Sequence, residues 1–201
     1  QTLEAKIDKN IELSYAFKLY DILGINSKTK GSIILNFNYT NTINNYIDIY
    51  NSYSKYFPFQ LINIHGELNS KTNPIVFGYG DESNDEYKII ENLDDNKLMH
   101  FFKSFWYSKT NNYKSLLDYL NLGDYEVYVL GHSCGLSDRV LLKTIFENKR
   151  CKKIHLFHYG NDFDFKQHIH FQNYIQVSRH FSDKAKMREI VGDFNEKYSL
   201  E

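Results

Sequence analysis

The sequence lacks several features that define common protein classes. Its two cysteines, Cys134 and Cys151, do not form a Cys-x-x-Cys pair. A disulfide framework or a cysteine zinc site is therefore not expected, and a reducing compartment fits. No run reaches the roughly 20 apolar residues of a membrane-spanning helix, and residues 1–10 contain no apolar signal-peptide core. We predict a cytoplasmic protein with no membrane partner.

The sequence also lacks a charge bias. Its 24 basic and 25 acidic residues give a net charge of -1. Proteins that bind nucleic acid through its phosphates usually carry a basic excess, so nucleic acid is not an expected partner. The hydrophobic share of 42% and the aromatic share of 16% are sufficient for a packed core and exclude extensive disorder. The length predicts about one domain, which we assign to residues 1–201.

Apolar periodicity predicts an α/β fold. Residues 2–23 carry apolar side chains every three or four positions, which predicts an amphipathic helix. Further helices are predicted over residues 42–53, 96–106, 113–120, 139–147, 164–178 and 182–198, the last capped by Ser182. Short apolar runs predict strands over residues 32–38, 59–64, 74–77, 126–130 and 153–158. Apolar strands that alternate with helices indicate a mostly parallel sheet, over about residues 32–160, with helices on both faces.

The residues that directly follow the apolar runs are candidate ligand contacts, because ligands bind beyond the carboxyl ends of parallel strands. We expect these polar groups to meet at one edge of the sheet. In chain order they are Asn36, Asn38, Tyr39, Thr40 and Asn41; His65 and Gly66; Gly78 and Asp81; Gly131 to Asp138; and His158 to Asp164.

The first two strand ends carry groups suited to a sugar or an attacking water. A histidine side chain can gain or lose a proton near neutral pH, so a histidine at position 65 can serve as a general base or a ribose contact. The neighbouring Gly66 lets a ligand approach the backbone. Asn38 and Asn41 offer amide donors and acceptors for sugar hydroxyls.

One strand end matches the nucleophile elbow of α/β-hydrolases. Gly131-His132-Ser133-Cys134-Gly135 lies between a predicted strand and a predicted helix. Catalysis by Ser133 needs a histidine that a carboxylate orients. The candidates are Asp162 or Asp164 with His168, His170 or His180. The alternative is a glycine-permitted turn in which Ser133 caps the next helix.

The late histidines are also candidates for a metal site. His155 and His158 fall on opposite sides of a strand, and His168 and His170 do not share a helix face. Neither pair makes a good set of ligands, so no metal is predicted.

As an ordered set, the strand-end motifs resemble the bacteriophage abortive infection family AbiH. These motifs are Ile34 to Thr42, Ile64-His65-Gly66, Val76-Phe77-Gly78, and Leu130 to Ser133 with Ser137-Asp138. The family is similar to the sirtuin-like group of NAD-binding domains. This resemblance implies a Rossmann-type three-layer architecture and a phage-defence protein that hydrolyses NAD at the nicotinamide glycosidic bond.

The resemblance also implies roles for individual residues. Asn38 and His65 fall on the catalytic pair that flanks the nicotinamide ribose. The implied cofactor contacts are Asn36, Tyr39, Thr40, Asn41, Gly66, Gly78, Gly131, Ser133 and Asp138. The implied partners are a small nucleotide, NAD, and a phage or host protein that acts as a trigger. Whether the chain forms a homo-oligomer is left open.

Two departures from the family pattern matter. Thr40 stands where sirtuin-like enzymes commonly have an acidic residue, and no Gly-rich phosphate-binding turn precedes Ser32. We therefore expect a fragment that lacks an N-terminal Gly-rich βα unit. A serine hydrolase that uses Ser133 and a non-catalytic sensor or interaction module are the alternative functions.

Overall fold

The computed structural model describes residues 31–53, 59–78, 82 and 85–200. The predicted helix over residues 2–23 and the candidate Asp81 lie outside the described residues. The chain divides into two compact units, Gln1–Ile75 and Val76–Glu201, which we call unit 1 and unit 2. The assignment of residues 1–201 to one domain stays a prediction.

Unit 1 contains a pair of parallel strands with a helix between them in the chain. The elements are β1 (Ser32–Asn36), α1 (Thr42–Tyr53) and β2 (Phe59–Asn63). The strand register places Asn36 beside Asn63. Ile62 and Ile64 from the second strand region are buried, as is Ile47 from α1. Because the strands are parallel, both carboxyl ends lie at the same edge.

Unit 2 repeats the strand–helix–strand order and adds further helices. Its elements in chain order are α2 (Asp85–Glu91), α3 (Asn96–Met99), α4 (Lys103–Trp106), α5 (Asn112–Leu120), β3 (Tyr125–Val129), α6 (Arg139–Phe146), β4 (Cys151–Leu156), α7 (Phe163–Ser178) and α8 (Lys184–Ile190). Strands β3 and β4 pair in parallel, with an irregularity near the start of β3.

The core of unit 2 lies around β4. Helices α6, α7 and α8 each contact this strand. Leu141 and Phe146 from α6, Ile154 from β4 and Val177 from α7 are fully buried. The apolar residues of α6 occur at helical spacing, so one face of the helix is directed into this core.

The last helix begins and ends differently from the prediction. Its N-cap is Asp183, not Ser182: the Asp183 carboxylate accepts from the backbone N–H groups of Ala185 at 2.8 Å and Lys186 at 3.1 Å. The Ser182 hydroxyl instead accepts from Lys143 Nζ at 2.8 Å. A carboxylate one residue later is the better acceptor for two adjacent N–H groups.

Helix α8 also ends at Ile190 rather than near residue 198. The following segment forms two isolated parallel bridges, Val191 with Ile154 of β4 and Ser199 with His158 just beyond β4. These bridges and a short 3-10 helix over Glu196–Tyr198 take the place of the predicted helical end.

The predicted strand over residues 74–77 is wrong. These residues form no strand, although Val76 is buried. Pro74 has no backbone N–H to donate to a ladder, and its carbonyl lies against Gly66. The apolar run therefore reflects burial without strand pairing.

The predicted helix over residues 96–106 forms as two short helices, α3 and α4. Phe102 and Tyr107 are buried, whereas Phe101 and Phe105 are exposed. The aromatic side chains of this segment are therefore only partly in the core.

Helices with small parallel sheets agree with the predicted α/β class. The described residues form two two-stranded sheets, β1–β2 and β3–β4, rather than one sheet. In the described part of the chain, no helix combines the length and apolar character needed to cross a membrane.

Candidate functional site

In unit 1, the loop after β1, which carries Asn38, contacts the turn after β2, which carries His65. His65 Nδ1 lies 3.1 Å from the carbonyl oxygen of Phe37, and Leu68 donates its N–H to the carbonyl of Tyr39 at 2.9 Å. Because a carbonyl only accepts, Nδ1 carries the proton and donates. In a neutral ring the lone pair then lies on Nε2.

The predicted contact residues of this loop differ in exposure. Asn38, Thr40 and Asn41 are exposed and Tyr39 is half-buried. His65 is only 5% exposed, and its ring packs edge-on against Phe37 with centroids 5.1 Å apart and tilted against Tyr39 at 6.2 Å. The loop thus places exposed amides and hydroxyls next to a buried imidazole.

Asn36, predicted as a cofactor contact, uses its side chain inside the loop. Its Nδ2 donates to Asn63 Oδ1 at 2.8 Å and to the carbonyl of Asn38 at 3.2 Å, while its Oδ1 accepts from the Asn38 N–H at 3.1 Å. The same Nδ2 lies 3.5 Å from the carbonyl of Thr40. Its observed contacts therefore hold the loop.

Gly66 has a positive φ of 80° and a close neighbour. A Cβ at this position would lie 2.2 Å from the carbonyl oxygen of Pro74. The close approach that requires glycine here is therefore made by the chain's own backbone. Gly78, in unit 2, is similar, since a Cβ would lie 2.5 Å from the carbonyl oxygen of Phe101.

In unit 2, the loop after β3 is built around a buried ion pair. Lys103 Nζ donates to Asp138 Oδ1 at 2.7 Å, and both side chains are 8% exposed. Ser137 Oγ donates to Asp138 Oδ2 at 3.3 Å, and His132 Nε2 lies 3.6 Å from the same oxygen. Asp138, predicted as a nucleotide contact, therefore has its carboxylate surrounded by donors.

Lys103 was missed from the sequence. The available signal is a cation inside the aromatic segment Phe101 to Trp106. A lysine among core aromatics is almost never buried without a partner. Its position therefore indicates that a buried carboxylate lies nearby, but it does not identify the residue that carries this carboxylate.

The middle of the same loop is held through the backbone of Cys134, which has a positive φ of 50°. Its N–H donates to His132 Nδ1 at 3.0 Å, and its carbonyl accepts from His180 Nε2 at 2.7 Å. Burial raises the pKa of the Cys134 thiol to about 12. The thiol is therefore protonated at neutral pH and unsuited to nucleophilic attack.

The residues required for a serine hydrolase do not assemble in this loop. Ser133 is exposed, and it makes no hydrogen bond within the described part of the chain. His180 is bonded to the Cys134 carbonyl, and Asp162 caps α7 by accepting from the N–H of Phe165. The non-glycine residue with left-handed backbone in this loop is Cys134 rather than the serine, so the loop matches the elbow in sequence but not in geometry.

The sequence profile of the bacteriophage abortive infection family AbiH matches residues 2–160. The chain belongs to the AbiH family. No curated protein and no solved structure gives a significant match.

The AbiH match includes both strand-end loops. It covers the Asn36–Asn41 loop with His65 in unit 1, and the Gly131–Asp138 loop in unit 2. Helices α7 and α8 lie beyond the AbiH match, so His180, which holds the second loop, comes from outside it.

The remaining candidate histidines of this AbiH chain are dispersed. His168 is exposed, whereas His158 and His170 are buried with ring centroids 6.1 Å apart. His155 Nε2 bonds to Glu126 Oε2 at 2.8 Å. Burial lowers the pKa of His155, His158, His170 and His180. Across the described ranges, no three His, Cys, Asp or Glu side chains form a group suited to a metal.

Proposed function

We propose that the protein acts in phage defence in the cytoplasm by binding NAD and hydrolysing its nicotinamide glycosidic bond, on a sirtuin-like Rossmann-type architecture. Membership of the AbiH family supports the role in defence. The observation that carries the enzymatic part is the position of Asn38 and His65 at the carboxyl ends of two neighbouring parallel strands in unit 1. Parallel α/β folds bind nucleotides at such ends.

The reaction breaks the bond between C1′ of the ribose and the pyridinium nitrogen. The bonding pair stays on nitrogen, which leaves as neutral nicotinamide, and positive charge develops at C1′. Water adds to C1′ and gives ADP-ribose, while its proton passes to a base. We assign this role to His65, whose Nδ1 proton faces the Phe37 carbonyl and whose lone pair is then on Nε2. Because Nε2 is buried, the attacking water must be enclosed together with the substrate.

The exposed part of the loop supplies the contacts to the sugar. The Asn38 amide orients the attacking water or a ribose hydroxyl, since it can both donate and accept. Tyr39, Thr40 and Asn41 offer further polar groups beside it. The Asn36 side chain holds the loop in place through its hydrogen bonds to the Asn63 side chain and the Asn38 backbone.

A second candidate loop, after β3, lies in unit 2. Gly131 has a φ of 66° with open space where a Cβ would lie, and Ser133 is exposed, so this loop presents backbone atoms and a hydroxyl to solvent. Asp138 acts through its ion pair with Lys103, which fixes the end of this loop.

Incubation of the full chain with NAD, with and without extract of phage-infected cells, tests the proposal. Release of nicotinamide is measured by chromatography. We expect His65→Ala and Asn38→Ala to lower kcat by about 100-fold or more. His168→Ala and Asn45→Ala are the matched controls, because both side chains are exposed and lie outside the site.

No release in either condition, or release that His65→Ala leaves unchanged, contradicts the proposed reaction. Binding of NAD without release would instead favour a non-catalytic sensor that responds to a phage or host protein.

A further inference from the structure

A chain of side-chain hydrogen bonds runs beneath the Asn36–Asn41 loop in unit 1. Asn36 Nδ2 donates to Asn63 Oδ1 at 2.8 Å, and Asn63 Nδ2 donates to Glu67 Oε1 at 2.5 Å. Asn36 and Asn63 are 7% and 6% exposed. We call these three residues the amide relay. None of them except Asn36 was a candidate from the sequence.

Glu67 is the end of the relay that sets its direction. A carboxylate only accepts, so the group of Asn63 that faces it must be the NH₂. A second amide, Asn73 Nδ2, donates to the same Oε1 at 3.1 Å. Two donors on one oxygen hold the carboxylate in place.

This direction is passed on to the loop that carries Asn38. With its NH₂ on Glu67, Asn63 presents Oδ1 to Asn36, whose NH₂ therefore faces Asn63 and whose Oδ1 faces the N–H of Asn38 at 3.1 Å. If Asn63 turned over, two NH₂ groups would face each other. Asn36 would then have to turn as well and would lose its bond from the Asn38 N–H.

We propose that Glu67 is a positioning residue for the candidate site. Through Asn63 and Asn36 it fixes the backbone of Asn38 while leaving the Asn38 side chain exposed. Glu67 does not touch the reacting atoms. This inference rests on the proposed NAD hydrolysis, and its effect is on the geometry of the step rather than on binding.

The test compares variants at positions 67 and 63 in the full chain. Glu67→Met keeps the length of the side chain and removes the acceptor, whereas Glu67→Gln keeps one acceptor oxygen. Asp48→Asn is the control, because it removes an exposed carboxylate from α1 in the same unit. Circular dichroism confirms that each variant is folded.

Two readouts are taken. Amide hydrogen exchange of the segment 36–41 reports the order of the loop without any need for activity, and we expect Glu67→Met to speed it by about 10-fold or more. In the NAD assay we expect Glu67→Met to lower kcat on the order of 100-fold and to change KM by less than about threefold. Glu67→Gln recovers most of both losses.

A reversed pair gives the sharpest check. Asn63→Asp alone sets a carboxylate against Glu67 and should match Glu67→Met in both readouts. In the double variant Asn63→Asp/Glu67→Gln, the new amide at position 67 donates to the new carboxylate at position 63, which still accepts from Asn36, and Asn73 turns its amide so that its Oδ1 faces the new NH₂. The link between positions 63 and 67 is then complete with its direction reversed, so exchange and kcat should return to within about fivefold of the starting protein.

Unchanged exchange of residues 36–41 in Glu67→Met, or a double variant no better than Asn63→Asp, overturns the relay. Absence of nicotinamide release from the starting protein counts against the proposed function, and the exchange measurement then decides the relay by itself.

Discussion

The loops after β1 and after β3 occupy the same position in a parallel strand pair, yet they are held by different chemistry. In unit 1 the loop rests on neutral amides that end at a single carboxylate, Glu67. In unit 2 it rests on the buried ion pair of Lys103 and Asp138. One strand–helix–strand plan can therefore be stabilised by hydrogen bonds between neutral groups or by a pair of charges.

The difference has an energetic consequence. An amide that loses one partner leaves a buried neutral group unsatisfied, which costs about 1–3 kcal/mol. A buried charge that loses its partner costs more, because it is then left without compensation away from water. The second loop should thus be the more sensitive to single substitutions.

The largest expected effect is on the ion pair of unit 2. Lys103→Met removes the cation that is paired with the buried Asp138 carboxylate, so the free energy of unfolding should fall by about 3–5 kcal/mol. Urea unfolding followed by the fluorescence of Trp106, the single tryptophan of the chain, measures this in unit 2.

Lys88→Met is the matched control, because the Lys88–Asp85 pair is exposed and should contribute no more than about 1 kcal/mol. The double variant Lys103→Met/Asp138→Leu should recover most of the loss. Equal effects of Lys103→Met and Lys88→Met would show that the buried pair has no special importance.

The second expected effect compares two glycines. Gly66 and Gly131 both have positive φ, but only Gly66 has a backbone carbonyl where a Cβ would go. Gly66→Ala should therefore cost about 3 kcal/mol, from backbone strain and overpacking together. Gly131→Ala should cost about 1 kcal/mol, from backbone strain alone.

Hydrogen exchange of β2 and of β3 measures the two glycine variants separately. If Gly131→Ala lowers the stability as much as Gly66→Ala does, backbone strain from the positive φ accounts for both losses. The contact of Gly66 with Pro74 then makes no measurable contribution.

The smallest expected effect is on pH dependence. Burial lowers the pKa of His158 below its ordinary value of 6.5, so the unfolded chain takes up a proton that the folded unit 2 resists. The contribution of the neutral His158 to stability is therefore fully present above about pH 6.5. It is lost as the pH falls from there toward the lowered pKa of the folded state. Replacing this histidine, His158→Phe, should reduce the loss between about pH 7.5 and 5.5 by roughly 1 kcal/mol.

The same urea unfolding, performed at both pH values, checks this prediction. The exposed His168 gives the control variant His168→Phe, which should leave the pH dependence as it is. A steeper loss in His158→Phe than in the starting protein would reverse the assigned sign.

Several elements could be predicted because their signals are local. The strands over residues 126–130 and 153–158 form as Tyr125–Val129 and Cys151–Leu156, and the helix over residues 113–120 forms as Asn112–Leu120. Apolar runs bounded by turns need no distant partner to be recognised. The strand prediction at residues 74–77 failed because a buried loop and a paired strand produce the same apolar pattern in the sequence.

The proximity of the loop after β1 and the turn after β2 was predictable for a related reason. Polar residues after adjacent parallel strands must lie near each other, so Asn38 and His65 could be placed together from their positions alone. Glu67 could not be found in this way. Its role depends on the rotation of two amide groups, and residue order does not encode that rotation.

The positions of the main strands and the polar character of their ends are encoded locally, because both follow from side-chain periodicity along a short stretch. The contact of Lys103 with Asp138, 35 residues away, and the left-handed turn at Cys134 rather than Ser133 arise only in the folded unit. Such pairings depend on which groups burial removes from water together. That choice is made by packing across the unit and not by any local pattern.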